Sequence, residues 1–355
     1  MAPWTPPFAR FRGHRGGVNA LLSDDDKHAH VLVSGSDDGS CRLWDVRSTR
    51  ATKCINVRKA LGLTAQDDAD EASVNALAFG HAPYLYLAAG AKVLTFDIRQ
   101  EGLILDCAAR EVFQDSDDEI NALHVHPSKQ GKFLSVADDT GDVRIYDVAT
   151  HRLHKTLSGQ HTNLCMSAPF RPNAPWDLVS GGMDGMLLFW DFSRGRMKFC
   201  IDLNAGVSSL AGDRAQTAMT QGNQMFNPPL VHAVAFAPNG KSLAAALGDG
   251  SVAVVDFNSK QIVRRLKNHA ATVSQVHFPV FKRDEWLLAC GNDRKISVFD
   301  YQTALQSVDA EGEDNTHVVK EFLVKDKPNA VATSVHQNLV HVADMSKEIT
   351  SYPLL

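Results

Sequence analysis

Serine, histidine and aspartate, the residue types of a hydrolase triad, recur in this chain at a nearly constant spacing. Three histidine–aspartate pairs stand 24, 23 and 24 positions apart: His14 and Asp38, His161 and Asp184, and His269 and Asp293. Ser34 and Ser180 fall inside the first two intervals. A nucleophilic serine also needs a sharp turn that exposes it and donors for an oxyanion, and the sequence has no GxSxG motif. The recurrence therefore indicates a repeated structural unit, and we do not expect an enzyme.

Metal ligation is the second chemistry that these residue types could support. The closest histidine pairs are His124 with His126 and His151 with His154, and neither has a cysteine or carboxylate at ligand spacing. The acidic run 115–119 lacks the central glycine and the spaced ligands of a calcium loop. The sequence also has no GxxxxGK and no GxGxxG motif for phosphates. We therefore expect no metal site and no cofactor.

Composition narrows the class of protein further. The net charge of −5 provides no general attraction to nucleic acid, and the short basic cluster Arg264, Arg265 and Lys267 is typical of a solvated strand face. The 6 cysteines are widely spaced without a CxxC, which favours a reducing compartment. No apolar run approaches the roughly 20 residues of a membrane span, and the start of the chain lacks a signal peptide's apolar core. These features predict a cytoplasmic or nuclear protein.

The elements that must hold the triad-like residues are short β-hairpins. The stretch from Leu32 to Arg47, LVSGSDDGSCRLWDVR, reads as a strand, a tight turn at Ser36 to Gly39, and a second strand from Cys41 to Asp45. A hairpin of this length cannot bury its apolar face alone, so it needs neighbours of the same kind.

Imperfect copies of this hairpin follow along the chain. Each ends in an apolar or aromatic residue followed by aspartate, with the aspartates at Asp45, Asp97, Asp147, Asp191, Asp256 and Asp300. The steps between them are 52, 50, 44, 65 and 44 residues, close to the period of about 40 to 50 residues of propeller blades. The longest step contains an insertion at about Asn204 to Pro229, and acidic connections are predicted at Gln66 to Glu71 and Asp309 to Asn315.

A seventh copy ends at Ser351 to Pro353, and a short apolar run precedes each of the seven endings. This predicts a single-domain, all-β, seven-bladed β-propeller over residues 1–355. The predicted inner strands are Val18 to Leu22, Val74 to Phe79, Ile120 to Val125, Cys165 to Phe170, Val231 to Phe236, Val273 to Phe278 and Ala330 to Val335. The predicted blades are 14–58, 73–112, 119–157, 161–203, 230–266, 269–308, and 320–355 together with 8–13. The strand at Phe8 to Phe11 is expected to complete the last blade and close the ring.

The pattern resembles the WD40-repeat family over nearly the whole chain. The resemblance implies a structural hydrogen-bonded set of histidine, serine, aspartate and tryptophan in each complete blade. Two sets are complete: His14, Ser34, Asp38 and Trp44, and His161, Ser180, Asp184 and Trp190. Blade six keeps only His269 and Asp293. A buried imidazole beside a carboxylate stabilises a blade when the serine hydroxyl and the indole N–H complete its hydrogen bonds.

An arginine stands two residues after the repeat aspartate in the first two blades only. The strings are Trp44-Asp45-Val46-Arg47 and Phe96-Asp97-Ile98-Arg99, whereas the next four blades have Ala149, Ser193, Asn258 and Gln302. This pattern resembles the WDxR box, by which many WD40 proteins dock on the damaged-DNA-binding adaptor of cullin-four RING ubiquitin ligases. The resemblance implies adaptor contacts at Trp44, Asp45, Arg47, Phe96, Asp97 and Arg99. Alternatively, each arginine only pairs with a nearby surface acid.

A second set of residues resembles one particular WD40-repeat protein, for which a substrate-receptor role in the same ligases is suggested. The set comprises 161–165, 170–172, 178–180 and the ending 349–354. The sequence therefore favours a monomeric, non-enzymatic scaffold that docks on the ligase adaptor and holds an unknown substrate protein. The alternative is a scaffold subunit of a chromatin or RNA-processing complex without a ligase link.

Overall fold

A computed structural model describes residues 5–23, 28, 30–64, 70–81, 83–105, 107–127, 131–204, 227–282, 284–306 and 317–355. The predicted insertion at Asn204 to Pro229 lies largely outside these residues, as does most of the acidic connection Gln66 to Glu71. The connection Asp309 to Asn315 lies wholly outside them. Within the part that is described, no helix has the length and apolar character needed to cross a membrane.

The described residues form seven β-sheets arranged as the blades of a propeller, as predicted. The first strand, β1, is Ala9–Arg12. Blade 1 contains β2 Val18–Ser23, β3 Val31–Ser36, β4 Ser40–Asp45 and β5 Arg50–Asn56. A short helix, α1 Val57–Ala60, and a 3₁₀ turn, Asp70–Ala72, lead to blade 2, which contains β6 Val74–Phe79, β7 Tyr84–Ala89, β8 Lys92–Asp97 and β10 Glu111–Phe113. The short strand β9 Ile104–Leu105, between β8 and β10 in the chain, belongs to the sheet of blade 1.

The next five blades follow in chain order. Blade 3 contains β11 Ile120–Val125, β12 Phe133–Asp138, β13 Val143–Asp147 and β14 Arg152–Leu157. Blade 4 contains β15 Cys165–Ser167, β16 Asp177–Gly182, β17 Met186–Asp191 and β18 Arg196–Asp202. Blade 5 contains β19 Val231–Phe236, β20 Ser242–Leu247, β21 Ser251–Asp256 and β22 Gln261–Lys267. Blade 6 contains β23 Val273–His277, β24 Trp286–Gly291, β25 Lys295–Asp300 and β26 Val318–Leu323, with α2 Tyr301–Gln306 after β25. Blade 7 contains β27 Pro328–Ser334, β28 Leu339–Asp344 and β29 Glu348–Pro353.

The N-terminal strand closes the ring. Strand β1 pairs antiparallel with β29, with Ala9 opposite Ser351 and Phe11 opposite Ile349. The predicted closure is therefore confirmed, and β29 is not left as a free edge.

Antiparallel order places the connections of each blade alternately on two faces of the ring. The turns between second and third strands lie on one side, here called the upper face. The connections between first and second strands and between third and fourth strands lie on the opposite side, the lower face. Asp38 and Asp184 therefore belong to the upper face, and Arg47 and Arg99 belong to the lower face.

The core is divided among the seven contacts between neighbouring blades. Each apolar cluster of buried residues draws its side chains from two adjacent blades, so every blade depends on both neighbours. The approach is close enough to require glycine at Gly35, because a β-carbon there would lie 2.5 Å from Cγ1 of Val74 in the next blade. Gly181 meets Val231 in the same way. One blade is therefore not expected to fold alone.

Two details of the strands differ from the sequence prediction. The inner strand of blade 4 ends at Ser167 instead of Phe170, since Pro169 has no N–H to donate to the sheet. The segment Ile104–Leu105 leaves blade 2 and pairs in parallel with β5 of blade 1, with Cys54 opposite Ile104 and Ile55 opposite Leu105. This fifth strand of blade 1 was not predicted.

Candidate functional site

The triad-like residues of blade 1 come together inside the blade. His14 Nε2 lies 2.7 Å from Ser34 Oγ, and His14 Nδ1 lies 3.2 Å from Asp38 Oδ2. The Trp44 indole N–H donates to the same serine oxygen at 2.8 Å. With the Nδ1 proton directed to the carboxylate, Ser34 donates its hydroxyl proton to Nε2 and accepts the indole proton. Every polar atom of the set is thus used within the blade.

Blade 4 repeats this geometry. His161 Nε2 is 2.8 Å from Ser180 Oγ, its Nδ1 is 3.0 Å from Asp184 Oδ2, and Trp190 donates to Ser180 at 2.8 Å. Blade 6 keeps only the contact from His269 Nδ1 to Asp293, at 3.0 Å. Ala289 and Phe299 occupy its serine and tryptophan positions, so His269 Nε2 has no hydrogen-bond partner among the described residues.

Burial assigns these sets a structural role rather than a catalytic one. Ser34 and Ser180 are both 0% exposed, and their oxygens already hold an imidazole and an indole. A substrate carbonyl could reach neither hydroxyl without opening the blade. The geometry of a proton relay is present, but it stabilises the fold.

The aspartates of these sets are strongly held in their charged form. Burial alone would raise the pKa of Asp38, but hydrogen bonds from His14, Ser40 and the Arg15 backbone outweigh it and hold the pKa far below its ordinary value. Burial is likewise outweighed at Asp184 by the hydrogen bond from His161, which lowers the pKa of that carboxyl. Each carboxylate therefore contributes stability that is complete above its ordinary pKa and is lost as the pH falls below it.

Two other blades replace the set with different buried polar groups. In blade 3 the Arg144 guanidinium donates to the fully buried Asp138 and, at 3.1 Å, to the exposed Asp117. In blade 7 the fully buried His341 contacts Ser351 Oγ at 2.7 Å and Ser334 Oγ at 3.1 Å. Neither cluster was predicted from the sequence, because neither follows the spacing of the complete sets.

The buried imidazole of blade 7 makes stability depend on pH. Burial lowers the pKa of His341 to about 4 from its ordinary 6.5, so the unfolded chain binds a proton more readily between these values. We expect His341→Gln to reduce the loss of stability on acidification from pH 6.5 to 4, by up to about 1.4 kcal/mol per pH unit for one proton. Urea unfolding at a series of pH values measures this slope. The exposed His151→Gln is the matched control, and an equal slope in both variants would contradict the expectation.

The two WDxR arginines adopt the same conformation on adjacent blades of the lower face. Arg47 Nε and Nη2 donate to Asp45 Oδ1 and Oδ2 at 3.0 and 2.9 Å, and its backbone N–H donates to Oδ1 at 2.9 Å. At Arg99 and Asp97 the corresponding distances are 3.1, 2.8 and 2.9 Å. The two arginine side chains are 57% and 70% exposed. Each fork uses one edge of the guanidinium internally and leaves its other N–H groups for a partner.

The aspartates of these forks also accept a backbone N–H of the lower turn, as the repeat aspartates of other blades do. Asp147 and Asp256 accept the corresponding backbone N–H of Ala149 and Asn258 at 3.0 and 3.1 Å, so the repeat aspartate fixes the lower turn even without arginine. The arginine hydrogen bond is the largest cause that lowers the pKa of Asp45, which falls to about 2. The arginine is therefore what distinguishes blades 1 and 2.

The aromatic residues of the two boxes lie beneath the surface. Trp44 and Phe96 are each 1% exposed, so the inclusion of these two residues among the adaptor contacts was wrong. Their rings fill the core between blades, because the repeat needs a large apolar side chain there. Of the six predicted contact residues, the structure places Asp45, Arg47, Asp97 and Arg99 at the lower surface.

A central channel of about 540 Å³ runs between the inner strands. In every blade a β-bulge at the start of the inner strand turns the second residue toward the upper mouth. Four of these residues are asparagine: Asn19, Asn75, Asn121 and Asn329. Asn19 donates to Asn75 Oδ1 at 3.1 Å, and Asn121 donates to Asp139 at the rim at 2.7 Å.

The upper mouth carries negative charge on the side of blades 1 to 3. Asn75 donates to the Glu119 carboxylate at the rim. Partial burial, and then the nearby Asp139 carboxylate, raises the pKa of Glu119. A carboxylate whose pKa is raised by neighbouring acids lies in a locally negative environment, so this rim favours a cationic partner.

Deeper in the channel, two histidines tie neighbouring inner strands together. His124 Nε2 lies 3.3 Å from Ser167 Oγ, and His277 Nε2 lies 2.8 Å from Thr333 Oγ1. Among the described residues, no group of three or more histidine, cysteine or acidic side chains could hold a metal ion. The channel wall is thus organised by contacts between blades.

Comparison with known proteins supports the repeat architecture. The family model for the N-terminal domain of nucleolar protein 10-like proteins matches residues 5–169, and the WD domain, G-beta repeat model matches 151–191. The model for the WD40 domain of anaphase-promoting complex subunit 4 matches residues 214–280.

Individual relatives show the same similarity over different shares of their length. The chain is 28% identical to the WD repeat-containing protein 53 homolog of Dictyostelium discoideum, over 95% of this chain and 91% of the relative. It is 25% identical to WD repeat-containing protein ATCSA-1 of Arabidopsis thaliana, over 70% of this chain and 52% of that protein. It is 22% identical to U3 small nucleolar RNA-associated protein 21 of Saccharomyces cerevisiae, over 84% of this chain and 30% of that protein.

Proposed function

This chain belongs to the WD40-repeat family, and from that premise we propose that it is a scaffold that holds proteins together in a nuclear RNA-processing assembly. The proposal is supported mainly by which polar groups are exposed. Polar side chains face solvent at the rims of the ring, while the triad-like serines are buried inside blades. The similarity to the nucleolar protein 10-like domain and to the U3-associated protein supports the RNA-processing context.

In this proposal the upper mouth of the channel holds a basic segment of another subunit. The four channel asparagines offer amide donors and acceptors, and Asp37, Glu119 and Asp139 at the rim supply negative charge beside them. Fixed amides beside carboxylates suit the backbone and the cationic side chains of an extended peptide.

Affinity purification of the full chain tests this assignment. We expect RNA-processing proteins to co-purify with the wild type and to be lost after Glu119→Lys, a rim charge reversal at an exposed position. Exposed substitutions change stability by roughly 0.5 kcal/mol or less, so melting should be preserved. Glu285→Lys, at an exposed lower-face position of blade 6, is the control. Retention of the same partners by Glu119→Lys would contradict the use of the upper mouth.

A second candidate function is favoured by the paired arginine forks. Two identical, solvent-exposed Asp–Arg forks on adjacent blades suit recognition of carboxylates or carbonyls by one partner surface. We propose that these forks dock the chain on the damaged-DNA-binding adaptor of cullin-four RING ligases, with the substrate protein held on the upper face.

The arginine proposal predicts a specific loss of adaptor binding. Arg47→Ala combined with Arg99→Ala should weaken the adaptor complex by about 30-fold or more, because the loss of even one interface arginine worth about 2 kcal/mol has an effect of this size. The melting temperature should stay unchanged, since exposed ion pairs contribute little to folding. Calorimetry with purified adaptor measures the affinity.

Arg12→Ala combined with Arg194→Ala is the matched control for this experiment. These arginines are 70% and 78% exposed and pair with Glu348 and Asp191 on other blades. If the control pair weakens binding as much as the test pair, the loss reflects general charge, and docking through the two forks is excluded.

A further inference from the structure

A cleft opens on the upper face between blade 7 and the connection that leads into it from blade 6. Its volume is about 360 Å³, which is within the range of small-molecule sites. One wall is formed by the closing pair of strands, β1 and β29, in which Arg10 stands opposite Thr350. The other side carries Lys325, on the connection from blade 6, and Lys347, in the turn between β28 and β29.

Positive charge predominates in this cleft. Its lining includes four basic side chains: Arg10, Arg12, Lys325 and Lys347. The carboxylates of Asp344 and Glu348 also line it, and Asp326 lies 4.0 Å from Lys325. The basic groups are in excess even when all three carboxylates are counted. The cleft is therefore locally positive in a chain whose net charge is −5.

Both lining carboxylates are already engaged within the chain. Asp344 is 2% exposed and accepts the backbone N–H of Ser346 at 2.9 Å. Glu348 Oε2 accepts a hydrogen bond from Arg10 Nη1 at 3.0 Å, and its Oε1 lies 2.8 Å from Arg12 Nε. The Arg10 hydrogen bond is the largest cause that lowers the pKa of Glu348. Only one nitrogen of each guanidinium is used in this way, so both arginines keep N–H groups for a ligand.

Uncharged donors complete the cleft. Thr350 is 6% exposed, and its Oγ1 has no well-formed hydrogen bond to any described group. The Tyr352 side chain lines the cleft beside it. Lys347 makes no ion pair with any described residue. A buried hydroxyl without a partner costs free energy, and an oxygen acceptor bound in the cleft would recover it.

We propose that this cleft binds a phosphate monoester. Such a group carries a charge of about −1.5 to −2 at pH 7 and has three strong acceptor oxygens. This matches an excess of cations together with donors from two guanidinium groups, two ammonium groups and a hydroxyl. The volume also leaves room for a small organic group. The site lies at blade 7, and the inference is independent of both proposed functions.

Calorimetry of the full chain with glycerol 3-phosphate tests the site. Lys325→Ala combined with Lys347→Ala should weaken binding about tenfold, because two favourable charge interactions are lost. The matched control is Lys241→Ala combined with Lys327→Ala, which removes the same charge at two exposed positions outside the cleft. Lys327 faces the channel instead, where burial, and then this lysine, lowers the pKa of His232. Equal weakening by both pairs would show that only general charge matters and would overturn the proposal.

Removal of the competing carboxylate gives the opposite effect. Glu348→Gln should strengthen binding of glycerol 3-phosphate about threefold or more, because it frees both guanidinium groups and removes a repelling charge. A merely structural ion pair predicts no such gain. A variant that binds no more tightly than the wild type would overturn the proposal.

The Thr350 hydroxyl is tested by replacement with a side chain of the same shape. Thr350→Val should weaken binding about tenfold, since a hydrogen bond to a charged group is lost. Thermal unfolding without ligand should show equal or higher stability, because the hydroxyl has no well-formed partner in the free chain. Unchanged binding would exclude this hydroxyl and with it the proposed geometry.

Further probes identify the source of the phosphate. Tighter binding of glycerol 3-phosphate than of inorganic phosphate and of a phosphoserine peptide supports a free small ester. Tighter binding of the phosphoserine peptide, with no binding of its unphosphorylated form, supports a phosphorylated side chain of a partner. If acetate binds as well as glycerol 3-phosphate, or if no phosphate probe binds, the proposal is overturned.

Discussion

Removal of residues 1–12 is expected to cost most of the free energy of unfolding. The deletion takes away β1 and leaves β29 as an exposed edge. It also removes the ring of Phe11, which packs against Trp44 and His341 with ring centroids 5.8 and 5.7 Å away. Domains are typically stable by about 5 to 15 kcal/mol, so an open ring should be largely unfolded or aggregated. Urea unfolding and sedimentation of the truncated chain measure this.

A single substitution checks the same contact without opening the ring. Phe11 is 1% exposed, and Phe11→Ala should cost about 3 to 5 kcal/mol through lost burial and the cavity that remains. Phe8, three residues earlier, is 60% exposed, and Phe8→Ala should cost about 0.5 kcal/mol or less. Equal effects of the two substitutions would show that β1 does not hold the ring closed as described.

Replacement of Asp184 by alanine is the second large effect that we expect. The change leaves the buried His161 without its acceptor and also removes the acceptor of the Thr162 and Met186 backbone N–H groups, at 3.0 and 3.1 Å. Each buried donor that is left without an acceptor costs about 1 to 3 kcal/mol, so the loss of these three hydrogen bonds should cost about 3 kcal/mol or more. Equilibrium denaturation should show this loss at pH 7.

Asp249 provides the matched control in blade 5. It occupies the same turn position, accepts hydrogen bonds from Ser251, and pairs with Arg265, but it has no histidine beside it. Its side chain is 26% exposed, so Asp249→Ala should cost roughly 1 kcal/mol.

The same carboxylate should also make stability depend on pH. Since the pKa of Asp184 is held below its ordinary 3.8, the difference in free energy of unfolding between wild type and Asp184→Asn should shrink as the pH falls below 4. A difference that grows on acidification would contradict the assigned charge state.

The two proposals assign partners to different faces of the ring, so they can be tested separately. The upper mouth presents amides and carboxylates, whereas the lower surface of blades 1 and 2 presents two exposed Asp–Arg forks. A scaffold for an RNA-processing assembly could use the upper mouth alone. A ligase receptor needs both faces at once, one for the adaptor and one for the substrate. Variants confined to one face therefore distinguish the two proposals.

The number of blades, the closing strand and the positions of the repeat residues followed from the sequence alone. These features depend on local rules: alternation of apolar residues along short strands, turn residues between them, and a period that identifies one blade. The recurrence of histidine and aspartate at a constant interval also marked which residues would meet inside blades 1, 4 and 6.

The tertiary structure alone decided what reaches the surface and what replaces the missing sets. Trp44 and Phe96 stand beside the arginines in sequence but are buried, because strand alternation and packing between blades separate neighbours in the chain. The Arg144 and His341 clusters and the parallel pairing of Ile104 with Cys54 join residues without a repeated spacing. Contacts of this kind depend on how blades approach one another, and a local pattern carries no information about them.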